Sequence, residues 1–172
     1  MLAGVAWIVS FVASLVVTGE SSVLGLPSFY LIEGILVLAL VGTLLGLLGL
    51  HARQTTSYGV LGTVGFLAAL LGTALLLANV VFIHAAGRDV LDLLLEIGLA
   101  GMFFGFVLLG VATLRARGLP RWCGVALIVV LPVSVILGDY GGGLVFGLVW
   151  LALGYALLAE RDIEPGRSRG SL

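Results

Sequence analysis

Residues 91–114 read LDLLLEIGLAGMFFGFVLLGVATL and are followed at 115–121 by RARGLPR. The apolar run is longer than the roughly 20 residues needed to cross about 30 Å of hydrocarbon. Its two acids, Asp92 and Glu96, stand near one end, and Arg115, Arg117 and Arg121 stand just past the other. The stretch therefore has a direction as well as a length. Working outward from it, further apolar runs occupy 2–18, 29–50, 58–83, 122–137 and 144–159. Arginine fills alternate gaps between these runs: Arg53, then Arg115, Arg117 and Arg121, then Arg161, Arg167 and Arg169 in the tail. The intervening gaps hold only Arg88. Basic loops stay on the cytoplasmic side of a membrane. The pattern predicts an all-α polytopic membrane protein of the plasma membrane: a bundle of six transmembrane helices joined by short hairpin loops, with both termini cytoplasmic.

Composition supports the same class. The chain has 172 residues, of which 61% are hydrophobic and only 10% charged, and its mean hydropathy is +1.28. Soluble domains are about 25% charged. One helical unit over 1–159 accounts for nearly the whole chain, and 160–172, with Pro165, Gly166 and mixed charge, reads as a disordered cytoplasmic tail. A net charge of −1 provides no basic surface for nucleic acid. Cys123, the single cysteine, can form neither an internal disulfide nor a thiolate cage and reads as a packing residue. The N-terminal run lacks a basic leader and a small-residue cleavage site, so it is expected to remain as the first span. The absence of lysine beside 26 glycines fits a GC-rich prokaryotic genome.

Local punctuation marks the expected boundaries. Ser28 is placed to cap the second helix, Gly87 to end the third, and Asp89, with Asp92 three residues on, to start the fourth. Pro120 and Trp122 mark the start of the fifth at the headgroup level, and Tyr30, Tyr58 and Tyr140 are expected at similar depths. Pro132 should kink that fifth helix, while Asp139-Tyr-Gly-Gly-Gly143 reads as a tight hairpin before the sixth. Ser10, Ser14 and Ser134 are expected to bond within their own helices. Small residues four apart, Gly42/Gly46, Gly101/Gly105 and Gly143/Gly147, let helices approach closely, either within the bundle or against other membrane-protein subunits. The spacing G-x3-L-x2-R occurs three times, at Gly46/Leu50/Arg53, Gly110/Leu114/Arg117 and Gly154/Leu158/Arg161, as a duplicated hairpin would leave it.

Six of the nine acids, Glu20, Glu33, Asp89, Asp92, Glu96 and Asp139, fall on the side opposite the arginines. Loop and cap positions explain Glu20, Asp89 and Asp92, the last with Arg88 to pair with. Glu33 and Glu96 lie about 7–10 Å inside their helices at 1.5 Å per residue, where a carboxylate needs a reason. Asn79 and His84 on the third span come to a similar depth, so Glu33, Asn79, His84, Asp92, Glu96 and Asp139 form the candidate polar or ion-binding site. His51 and His84 lie at opposite ends and cannot share one iron or zinc. With no HExxH, P-loop or nucleophile elbow, no catalytic residue, metal or cofactor is assigned. Three functions compete: a non-enzymatic accessory or assembly bundle, a small transporter or ion-binding protein using the carboxylates, and an intramembrane enzyme using the same carboxylates.

Overall fold

Inside a bilayer every backbone N–H and C=O must find its partner within the protein, and a continuous apolar run meets that demand by coiling. The computed structural model describes residues 1–16, 27–54, 59–86, 92–116 and 119–159, and these are helical nearly throughout. The helices are α1 (Leu2–Val16), α2 (Pro27–Gln54), α3 (Gly59–Ala86), α4 (Asp92–Ala116), α5 (Arg121–Leu137) and α6 (Gly142–Ala159). Three segments are long and apolar enough to cross a membrane: Tyr30–Gln54, Gly59–Ile83 and Leu93–Ala116. The other three helices are equally apolar but shorter, at 15, 17 and 18 residues for α1, α5 and α6.

The boundaries differ from the sequence expectation in physically sensible ways. Helix α2 begins at Pro27, because proline lacks only a donor that the first turn leaves unpaired anyway. Ser28 is therefore inside the helix and not its cap. Asp92 is the first described residue of α4, so the expected cap at Asp89 lies outside the described residues. Gly87, Asp89, Tyr58 and the tail lie outside the described residues. Pro120 precedes α5 with φ −50° and ψ 137°, and its carbonyl accepts from Cys123 N–H at 2.9 Å. Pro132 sits within α5. The end of α5 is a glycine device: Gly138, at φ 46°, turns the chain left-handed while its N–H donates to Ser134 O. A single 3-10 turn over Gly138–Tyr140 then delivers the chain to α6.

Each helix packs on its sequence neighbours, and α1 packs on α6, which closes a six-membered ring. Neighbours run antiparallel. Along α3 and α4, for example, Gly65 meets Leu109, Gly72 meets Gly101, and Leu76 meets Gly98. The glycines set these spacings. A Cβ on Gly72 would overlap Met102 N and stand 2.7 Å from Gly98 O, and one on Gly4 of α1 would stand 2.5 Å from Gly147 O of α6. Gly110 of α4 and Gly124 of α5 face each other in the same way, each 2.7–2.8 Å from the other's carbonyl if given a Cβ. The three glycine pairs seen in sequence are used inside the bundle: Gly42 against Ala3, Gly46 against the Trp150 ring, Gly101 and Gly105 against α3, and Gly143 and Gly147 against α1. The three G-x3-L-x2-R copies occupy unlike surroundings, since Leu50 is buried and Leu158 exposed.

Aromatic rings fill the middle of the ring of helices. Phe106 of α4 is fully buried, with its centroid 6.0 Å from Trp150 and 6.1 Å from Phe146 of α6. Trp7 of α1 meets Phe146 edge-on at 4.8 Å, and its indole N–H donates to Thr43 Oγ1 at 3.1 Å. Thr43, Thr73 and Thr113 each return a hydroxyl proton to the carbonyl four residues earlier, so they bury polar atoms without leaving them bare.

Candidate functional site

Above the aromatic layer, at the end that carries the α5–α6 turn, the packing opens. A cavity of about 200 Å³ is lined from every helix: Trp7, Leu40, Leu76, Leu99, Ser134 and Phe146 all contribute. Its walls are apolar because these positions lie on the inward stripes of helices that have no polar residue to offer there. If such a volume were enclosed and left empty it would cost up to about 5 kcal/mol, at roughly 24 cal/mol per Å³. Ser134 is the polar exception. Its hydroxyl is buried without a hydrogen-bond partner, so it does not bond back to its own helix as expected, whereas Ser14 donates to Phe11 O at 2.7 Å.

The rim above this cavity is uneven. From the Gly110–Gly124 contact, counting along the antiparallel pair puts the end of α5 level with Ile97 of α4, about 8 Å short of Asp92 at 1.5 Å per residue. Leu76 of α3 meets Gly98, and α3 continues to Ala86, about 15 Å further. The long helices thus form a wall that stands above the floor made by the short ones.

The candidate polar residues are distributed along that wall. Glu33, half-buried, stands two turns beyond Leu40 on the same face of α2. Glu96 stands three residues beyond Leu99 on α4 and is exposed. Asn79 is one turn beyond Leu76 on the α4-facing side of α3; it is 5% exposed, and its Oδ1 has no partner. Three helices therefore carry a polar group toward the end where the cavity opens, at different burial, and none of the three is among the residues that line it. The side chains of His84, Asp92 and Asp139 lie outside what the structure describes; their backbones belong to the end of α3, the start of α4 and the α5–α6 turn. Sequence reasoning missed the cavity and Ser134. No spacing signal marks inward-facing Leu, Met and Trp in a chain where such residues are everywhere.

The opposite end has a recess of its own, about 340 Å³ between α1, α2 and α6, beside Ala3, Gly46, Trp150 and Gly154. Gln54 of α2 is buried beside Thr113 of α4, whose Oγ1 lies 3.3 Å from Gln54 Oε1 and 2.9 Å from Leu109 O. One hydroxyl proton is thus shared between two acceptors, while Gln54 Nε2 remains unpartnered. His51 stacks on Phe66 of α3, with centroids 3.9 Å apart and planes inclined by 11°. Phe66 is 18 residues before His84 on α3, about 27 Å at 1.5 Å per residue, so the two histidines cannot meet at one metal. Among the described residues, no three of His, Cys, Asp and Glu are grouped to hold a metal ion. No family model matches the chain, and no curated protein or solved structure is similar to it.

Proposed function

We propose that the chain is a six-span plasma-membrane bundle with both termini cytoplasmic, acting without catalysis as an accessory or assembly component for other membrane proteins. The observation that carries this reading is the fate of the glycines. Among the described residues most glycines inside the helices pack on a neighbouring helix, whereas Gly34 and Gly49 of α2 meet nothing within 4 Å. They lie on a stripe with exposed Leu38 and Leu45, at the helical repeat, on one of the longest helices. Small residues beside leucines on an open face suit a neighbouring transmembrane helix. Affinity purification of the tagged protein in a mild detergent is expected to yield a complex of defined stoichiometry, and Leu45→Trp is expected to release the partner while the bundle itself remains folded. Recovery of the monomer alone under every mild condition would end the assembly reading. The six-span arrangement is tested separately: Tyr140→Cys should react with a membrane-impermeant maleimide from outside intact cells.

The half-buried Glu33 and buried Asn79 favour a second reading, in which the wall above the cavity binds a cation. On that reading Glu33→Gln removes binding without altering assembly.

A further inference from the structure

Two polar side chains occur among the described residues that line the cavity, Trp7 and Ser134, and only one of them is committed. The Trp7 indole N–H donates to Thr43 Oγ1 at 3.1 Å. The Ser134 hydroxyl is buried and has no hydrogen-bond partner. A helical serine ordinarily gives its proton to a carbonyl three or four residues back, so a serine that does not is left with a donor to place. Its position on α5 is set by the helical repeat. Leu131, Ser134, Val135 and Gly138 all line the cavity, and spacings of three and four residues put them on one face. At Gly138 a side chain would meet nothing within 4 Å, so the wall is open beside the turn.

We propose that this cavity binds a neutral carbonyl compound with an apolar body of about ring size, its oxygen accepting from the Ser134 hydroxyl. Every group the inference uses lines the cavity, so it is independent of assembly and of the acidic wall. Volume agrees, since an apolar cavity of about 150 Å³ accepts a benzene-sized guest and this one is about 200 Å³. The Trp7 and Phe146 rings, edge-on at 4.8 Å, give the body an aromatic wall. Water fits poorly, because it needs two to four polar partners and the lining side chains offer one free hydroxyl. An alcohol would bring a proton of its own with no second side-chain acceptor to take it, and an ion would find no opposite charge among the lining residues. Two sources share the favoured chemistry: a free cyclic ketone or quinone, and the ester carbonyl of a membrane lipid.

The test uses the full chain in nanodiscs, with acetophenone as the probe and α-methylstyrene, in which a CH2 group replaces the carbonyl oxygen, as its counterpart. Both are followed by equilibrium dialysis and corrected for partition into empty discs. Saturable binding of acetophenone is expected, about tenfold tighter than α-methylstyrene, as one buried hydrogen bond would give. The infrared carbonyl stretch of the bound ketone should fall below that of ketone in empty discs. Ser134→Ala should lower acetophenone to the level of the hydrocarbon, abolish that infrared shift, and leave the hydrocarbon and the unliganded melting temperature unchanged. Ser134→Leu and, as a second filler, Leu40→Phe should block both probes. Discs of ester-linked and of ether-linked lipids separate the two sources. Weaker acetophenone binding in the ester-linked discs identifies the lipid carbonyl as the resident group, equal binding identifies the free ring compound, and either result upholds the proposal. Equal affinity for ketone and hydrocarbon would overturn it in favour of a void without recognition. A ketone preference that survives Ser134→Ala, or binding that survives both fillers, would place the ligand elsewhere. Absence of binding in ether-linked discs, where no lipid carbonyl competes, would also overturn it.

Discussion

The long helices α2, α3 and α4 and the short helices α5, α6 and α1 solve the same packing problem with unequal means. The long three extend about 38–42 Å at 1.5 Å per residue, beyond the roughly 30 Å of hydrocarbon, so each can carry polar groups at its ends without burying them. The short three extend only about 22–27 Å and are apolar almost from end to end. They depend on the long wall for their setting. The recess at the turn end follows from that inequality, because α5 ends at Leu137 and α6 begins at Gly142 while α3 and α4 continue past them.

One contact that ties the two halves across the middle is Phe106 of α4 against Phe146 and Trp150 of α6. Phe106→Ala should remove it and leave a void in the middle of the bundle, at about 3–5 kcal/mol. Equilibrium unfolding in mixed micelles would measure this. A loss under 1 kcal/mol would mean that the halves are held by their seams alone and that the centre is incidental.

Within the long half, Gly72 lies against the α4 backbone, so even Gly72→Ala requires the two helices to separate, and about 1–3 kcal/mol of destabilisation is expected. Gly34→Ala on α2 meets open space and should be neutral or slightly stabilising, since alanine is the better helix former. In the short half, Gly147→Ala presses on Gly4 O and Ile8 and should cost about the same as Gly72→Ala or somewhat less, because an isoleucine side chain can give way where backbone cannot. If Gly147→Ala proved the more damaging, α1 would be clamped to α6 more tightly than the α3–α4 seam is closed.

The two halves were also unequally legible in the sequence. Hydropathy alone places α2, α3 and α4, since each holds an apolar segment of 24 or 25 residues that passes as a membrane span by itself. For α5 and α6 the deciding signal is the glycine cluster. A run of that composition reads as one long helix unless Gly138 and its neighbours break it, and the left-handed φ of Gly138 is the physical reason they do. The site was legible only where chemistry breaks the apolar background. Asn79 stands out in sequence and is buried; Glu96 stands out equally and is exposed, because exposure depends on helix rotation, which a nearly uniform apolar helix such as α4 does not encode in its pattern. The cavity was invisible for the same reason, and Ser134 was misjudged because the usual serine habit of bonding the preceding turn is a local rule, whereas its setting is made by six helices.

The smallest effect is expected inside the long half, at the end that carries the arginines. Gln54 is buried with its Nε2 unpartnered and its Oε1 sharing one proton with Leu109 O. A buried amide in that position gains little from its single shared bond and loses the solvation of its free donor. Gln54→Met keeps the length and volume, removes the stranded donor and lets Thr113 give its proton wholly to Leu109 O. The variant should lie within about 1 kcal/mol of the parent and on the stabilising side. Unfolding measured beside that of Thr113→Val separates the two contributions: a clear loss for Gln54→Met, on the order of 2 kcal/mol, would mean that Nε2 has a partner such as a bound water, and that this end is a polar site in its own right.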